Sequence, residues 1–320
     1  MLIKNMIFVT ISLFSTCVAQ NTKETASTEK PKTIMLANKD QLYKDVAFLT
    51  ELRPPRHSEN IASLNKAADY INAEFKKAGL ETTEQKWMAD GKEYKNVIAS
   101  YNPEKKERII IGAHYDVCGD QPGADDNASA IAGLLETARL IARNKPDLDY
   151  RIDFVAYSLE EPPYFATEMM GSYVHAKYLK DNSIPVRGMI CYEMIGYFSD
   201  EPNSQTYPSP ELEKIYPNKG NFIIVVGLES QKSFSEKVFR LMKNMGEIDV
   251  QLINFPAPMG LGGLSDHRNY WSFGFPAVMI NDTSFLRNPN YHKPSDTIET
   301  LNFEKMSQVV DATYHAVLKL

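Results

Sequence analysis

The sequence predicts a single α/β domain in which a mixed, mainly parallel sheet lies between helices. Three observations lead there. Strand-like runs alternate with helical periodicities through most of the chain, the pattern of strand–helix–strand units. Runs such as Ile109-Ile110-Ile111 and Phe154-Val155-Ala156-Tyr157 are apolar throughout, as expected of strands covered on both faces. Several of these runs end in residues of metal-binding type: His114 with Asp116, Asp125-Asp126, Glu160-Glu161, Glu193, and His292 with Asp296. In open α/β sheets, ligands sit beyond the carboxyl ends of the strands.

Taken in order, residues 40–52 read as a helix with Leu42, Val46 and Leu49 on one face, stopped by Arg53-Pro54-Pro55-Arg56. Residues 61–78 form a second helix on an Ile61, Leu64, Ala68, Ile71, Phe75 stripe, with Gly79 at its C-cap. Strands are expected at 96–101 and 108–113, a helix at 128–143, a strand at 151–158 and a helix at 167–179. Further strands fall at 188–193, 222–226, 250–253 and 277–280, with helices at 233–244 and 303–320. The Pro-, Ser- and Asn-rich segment 197–219 is expected to be an irregular loop. A loop this long either shapes a substrate pocket or decorates the surface.

The chain has 320 residues, 43% of them apolar, enough for a sizeable core, and a formal charge of -6. That balance offers no basic patch for nucleic acid. The first residues read as an export signal: Lys4, an apolar stretch from Met6 to Phe14, and small residues up to Ala19. The expected domains are therefore a signal peptide at 1–19, a polar flexible tether at 20–32 and one catalytic-type domain at 33–320. Lipidation at Cys17 is the alternative to free release, and no segment is long and apolar enough for an integral membrane span. Cys118 and Cys191 remain after cleavage. They could be a loop and a strand residue, a disulfide, or zinc ligands.

The chemistry gathers at the strand ends. His114 and Asp116, two apart on a strand, point to one side. We read His114 as a ligand and Asp116 as the carboxylate that orients it, although an isolated His-X-Asp is more often a core histidine. Asp125-Asp126 opens a helix and could equally be a pair of caps. Glu160-Glu161 needs a turn if one is to bind metal while the other accepts a proton from water. Asp296 could brace His292 or start a turn. Ser265-Asp266-His267 has a serine triad's composition, but consecutive residues cannot form the relay. The sequons at Asn127 and Asn281 look coincidental. Met169, Met170, Phe198, Phe285 and Tyr291 are candidates for an apolar pocket or for plain core packing.

Five motifs together carry a resemblance: His114-Tyr115-Asp116, Pro122-Gly123-Ala124-Asp125-Asp126-Asn127-Ala128-Ser129, Glu160-Glu161, Ser265-Asp266-His267, and His292 followed by Asp296-Thr297. From about Val46 to the C-terminus the chain resembles the zinc-dependent M28 peptidases, which include the Vibrio and Streptomyces aminopeptidases and the glutamate carboxypeptidases. The resemblance implies a zinc-exopeptidase (phosphorylase/hydrolase-like) fold. It implies two Zn2+ ions. His114 would bind one, Asp126 would bridge both, and Glu161 with His292 would bind the other. Glu160 would be the general base. Glu193 stands where many members carry Asp as the partner of His114, a longer arm that could weaken one metal. The tyrosine that steadies the oxyanion in some members has no counterpart in Met259-Gly260-Leu261-Gly262-Gly263. The expectation is an exported, periplasmic or secreted metallo-aminopeptidase with a peptide as its partner and its oligomeric state left open. A single-zinc glutaminyl-cyclase-like acyltransferase is the alternative. A peptidase-like binding protein that has lost catalysis is a further one.

Overall fold

The computed structural model describes residues 36–320. The expected signal peptide, Cys17 and tether lie outside the described residues. Helices α1 (Lys39–Thr50) and α2 (Ile61–Lys77) come first, then a hairpin of β1 (Glu81–Ala89) and β2 (Lys92–Tyr101). The hairpin was not expected at that length: β1 is new, and β2 starts earlier than the apolar run suggested. Most of β1 is partly or fully exposed, so it lacks the continuous apolar signature. Its turn, Asp90-Gly91, has both residues at positive φ, 47° and 76°, the geometry that hairpin Asp-Gly pairs favour.

Next follow β3 (Arg108–His114), α3 (Ala130–Asn144), β4 (Arg151–Tyr157), α4 (Gly171–Asp181) and β5 (Val186–Glu193). The chain continues through α5 (Pro210–Glu213), β6 (Phe222–Leu228), α6 (Lys232–Lys243), β7 (Asp249–Phe255), α7 (His267–Ser272), β8 (Ala277–Asn281) and α8 (Phe303–Val317). Helix α4 begins at Gly171, because the stretch after Pro162-Pro163 folds as turns. A short helix, α7, and a single turn, α5, sit where none was expected; both are too short to show a period.

Among the described residues the sheet has eight strands in the order β1-β2-β4-β3-β5-β8-β6-β7. Its centre, β4-β3-β5-β8, is parallel throughout. Antiparallel pairs join β1 to β2, β2 to β4 and β6 to β8. Successive residues of β3 feed two cores. Ile109, Ile111 and Ala113 face the layer that holds α1, α2, α3, α6 and α8. Ile110 faces the layer that holds α4 and α7, with Val155, Tyr157 and Met189. Each of these isoleucines is fully buried, a stabilisation of about 1.5–3 kcal/mol per side chain. Because β3, β4, β5 and β8 run the same way, their carboxyl ends open on one edge of the sheet.

Candidate metal centre

Each candidate side chain is placed by a local feature of backbone. His114 is the last residue of β3 and Glu193 the last of β5. After β4, Leu159 adopts a left-handed φ of 63°. That is the turn that lets Glu160 and Glu161, neighbours in sequence, both face the cleft. Asp126 sits in a helical turn, Ala124–Ser129, that precedes α3, and its own backbone is non-helical at φ -105° and ψ 89°. Gly123 enters that turn at φ 60°, and a Cβ there would meet the Asp126 carbonyl oxygen and a Val117 methyl at 2.3 Å. Only glycine fits. His292 lies in the loop after β8, also left-handed at φ 55°, a conformation that the surrounding structure must impose.

These residues converge. His114 Nε2 lies 3.3 Å from Glu193 Oε2, 3.5 Å from Asp126 Oδ1 and 3.7 Å from Glu160 Oε2. His292 Nε2 lies 3.1 Å from Asp126 Oδ2 and 3.3 Å from Glu161 Oε2. Asp126 thus turns one oxygen to each imidazole. Cys118 comes within 4.8 Å of the ligand atoms of Glu161 and His292. It does not pair with Cys191; both cysteines are free.

A surrounding layer holds the set in place. Asp116 accepts hydrogen bonds from the backbone N–H groups of Glu160 and Glu161, at 3.2 and 3.0 Å, and stands 3.5 Å from His114 Nδ1. Asp296 accepts from the N–H groups of Asp125 and Asp126, at 2.9 and 3.1 Å. It therefore grips the backbone that carries Asp126, and among the described residues it makes no hydrogen bond or ion pair with His292. Ser265 Oγ donates to Glu193 Oε2 at 2.7 Å, and Asn127 Nδ2 donates to the same oxygen at 3.1 Å. Ser265 thus serves a carboxylate, while His267 Nε2 faces the Gly262 carbonyl. The sequon asparagines Asn127 and Asn281 are both buried.

The electrostatics ask for a cation. Burial pushes the Glu160 carboxyl well above the usual carboxylate range. Burial, then the charge of Asp126, pushes Glu161 up to about 8, and burial raises Glu193. For His114 burial favours the neutral ring, but the Glu193 and Glu160 charges outweigh it and hold the imidazole well above its ordinary value. At His292 burial likewise opposes the charge, and hydrogen bonds to Asp126 and Glu161 lift it to about 10. Asp116 moves the other way: burial opposes ionisation, and the His114 ring with two backbone N–H groups reverses it. Both His114 ring nitrogens and Glu161 Oε1 are buried without a hydrogen-bond partner. Buried polar atoms are rarely left so, and imidazole with carboxylate is the donor set of zinc sites. The residues fit divalent metal.

The sequence model of Peptidase family M28 matches residues 96–317. This chain belongs to that family. Peptidases of family M28 are zinc-dependent. The uncharacterized protein YfbL of Escherichia coli K12 is 44% identical over 289 residues, 88% of each chain. Leucine aminopeptidase 1 of Ajellomyces dermatitidis is 27% identical over 67% of this chain; the match spans 52% of that protein, about half its length. In fold the chain is similar to the Legionella pneumophila LapA aminopeptidase, with a TM-score of 0.71, 22% identity, and 88% of this chain and 72% of that one covered. It is also similar to the Fimbriiglobus ruber glutaminyl cyclase, with a TM-score of 0.68, 18% identity, and 89% and 96% covered.

Around this M28 centre stand residues that the motifs did not reveal. Arg56, expected only to help stop a helix, is buried and donates to the carbonyls of Leu49, Pro122 and Gly123 at 3.1, 2.6 and 2.6 Å. It pins the loop that delivers Asp126. Its only sequence signal was a charge beside prolines, which reads equally as surface. Next to the centre lies an apolar cavity of about 120 Å³, walled by Tyr207, Leu212, Ile224, Val226, Phe255 and Phe285. The 197–219 loop supplies Tyr207 and Leu212 to it. Of the five candidate pocket residues, Phe285 and Tyr291 line the cavity. Met170 is buried elsewhere, Met169 is exposed, and Phe198 packs on Arg287.

Proposed function

We propose that the chain is an exported zinc-dependent exopeptidase, an aminopeptidase that releases N-terminal residues from peptides by hydrolysis. One observation carries the reading: the two oxygens of Asp126 are divided between His114 and His292, each of which has a further carboxylate, while Glu160 stands alongside. Two metals would be held by His114 and Glu193 on one side and by Glu161 and His292 on the other, with Asp126 shared. When bound, zinc polarises the scissile carbonyl and makes a water acidic enough to attack at neutral pH.

The chain's own residues do the rest. Glu160 Oε2 accepts the water's proton and passes it to the amine of the second residue as the peptide bond breaks. Asp116 keeps His114 oriented and fixes the Glu160-Glu161 turn through two backbone N–H groups. The acidic cleft attracts a free α-ammonium. The apolar cavity shares Glu193, Leu264 and Tyr291 with the cleft. It therefore receives the side chain of the first residue and favours large apolar ones.

The test is zinc per chain together with release from an aminoacyl chromogenic substrate, with and without chelator. Two zincs and chelator-sensitive release are expected. One zinc with pyroglutamate formation from N-terminal glutamine would replace this reading with a cyclase. No metal and no turnover would leave a binding protein.

A further inference from the structure

Arg268, the second residue of α7, is the one arginine of the described residues without a fixed polar partner. Arg56 holds carbonyls, as does Arg53. Arg108 and Arg151 hold Asp153, Arg139 holds Asp45, Arg143 holds Glu136 and Arg187 holds Glu107. Arg240 approaches Glu236, and Arg287 donates to Gln205 and the Phe222 carbonyl. The Arg268 guanidinium instead lies over an aromatic ring, its Cζ 4.8 Å from the centroid of Phe165. It is partly buried there. Such stacking holds the fork in place while leaving its N–H groups free to donate.

Position gives the fork a use. Phe165 lines the cleft together with Glu160, Glu161 and His292. Burial disfavours the Arg268 charge, and the Glu160 carboxylate is near enough to offset part of that cost. On the exopeptidase reading, on which this inference rests, Glu160 delivers its proton to the amine of the second residue as the first peptide bond breaks, so the second residue lies beside Glu160. The apolar cavity does not include Phe165 or Glu160. Asp126, Glu160, Glu161 and Glu193, which wall the cleft, offer acceptor oxygens and no N–H fork to a substrate carboxylate. Arg268, over the ring of Phe165, stands behind one residue of that wall and can supply the fork.

We propose that Arg268 is a specificity-determining residue that binds a carboxylate on the second residue of the substrate, the one on the carboxyl side of the scissile bond. The carboxylate is either the α-carboxylate of a dipeptide or the side chain of an acidic second residue. A planar guanidinium suits either, bidentately.

The experiment compares kcat/KM of the zinc-loaded full chain on two pairs of peptides: Leu-Ala against Leu-Ala-amide, and Leu-Asp-amide against Leu-Asn-amide. The wild type is expected to favour the carboxylate member of one pair at least about tenfold, the worth of a charge-assisted hydrogen bond. Preference in the first pair identifies a dipeptide substrate, and preference in the second an acidic second residue. Arg268→Ala is expected to bring that ratio towards one, Arg268→Lys to keep part of it, and Arg268→Glu to reverse it. Because each readout is a ratio within one variant, a general loss of fold or metal does not imitate it. A wild type that cleaves the amides but shows no carboxylate preference overturns this inference and leaves the exopeptidase reading standing. The same holds if the preference survives in Arg268→Ala. A wild type that cleaves none of the four overturns both.

Discussion

The two imidazoles of the centre sit in unlike surroundings. The His114 side chain is 1% exposed and the His292 side chain 28%. His114 ends a central strand, and its partner Glu193 is itself held by Ser265 and Asn127. His292 rides on a loop in a left-handed conformation, its ring stacked on Tyr291 at 3.8 Å between centroids. One half of the centre is thus built into the sheet, and the other is laid over it by a connection. A ligand on a rigid element keeps its geometry when empty, whereas one on a loop depends more on the metal to order it. The inner half should therefore hold metal more tightly than the outer.

Predictions that break or sharpen this contrast can be ranked by size. With Glu160 as the proposed base and not a ligand, Glu160→Gln should leave zinc content unchanged while kcat falls by about 10²–10⁴. Near-normal turnover in that variant would place the base elsewhere. His292→Ala should remove one metal per chain and leave the other bound, as read by metal analysis after gel filtration. Stepwise dialysis against chelator should strip the wild type in the same order. Simultaneous loss of both ions in dialysis would erase the distinction between the halves.

Acid tests the backing of the inner half. His114 pairs in register with Tyr157, whose hydroxyl meets that of Tyr270 at 2.7 Å, and Tyr270 in turn meets His175 Nδ1 at 2.6 Å. Burial lowers His175 to about 4, from an ordinary value of 6.5. The unfolded chain then binds more protons than the folded one between those two values. The stability contributed by the neutral ring is complete above pH 6.5 and is lost as pH falls towards 4. At 1.36 kcal/mol per unit this amounts to about 3 kcal/mol. Denaturant midpoints measured across that window should fall, and His175→Gln should flatten the dependence. A slope unchanged in the variant would assign the acid sensitivity to other groups. The smallest effect is expected at Ser265→Ala, which removes one donor from Glu193. Affinity for the inner metal should drop about 10–100-fold, the usual scale for a group that orients a ligand. A loss at the outer metal instead would show that the halves are mechanically joined.

Much of this was legible in the chain itself. The parallel centre of the sheet announced itself because strands covered on both faces need apolar residues at every position, as in Ile109-Ile110-Ile111. His114, Glu193, His292 and the pairs Asp125-Asp126 and Glu160-Glu161 could be picked out because each stands where an apolar run or a turn ends; the choice within each pair came from the resemblance to the M28 peptidases. The hairpin strand β1 was not legible from apolar content, because an exposed edge strand tolerates polar residues on both faces. Its Asp90-Gly91 turn was the available signal. Arg56 was not legible as a support of the site, and Ser265, though part of a motif, gave no sign that its hydroxyl serves Glu193. A single charge or hydroxyl has no period, and its meaning lies in what reaches it from afar.

The sequence by itself determined which strands are buried, their order along the chain and which donor atoms are offered at their ends, because hydrophobic period and residue chemistry are local. Tertiary structure alone decided that Asp296 grips the Asp126 backbone, that Arg56 pins the loop before it, and that one half of the centre is more open than the other. Those facts depend on distances between residues up to 171 positions apart. Such distances are set by how the strands pack side by side, and no local pattern encodes them.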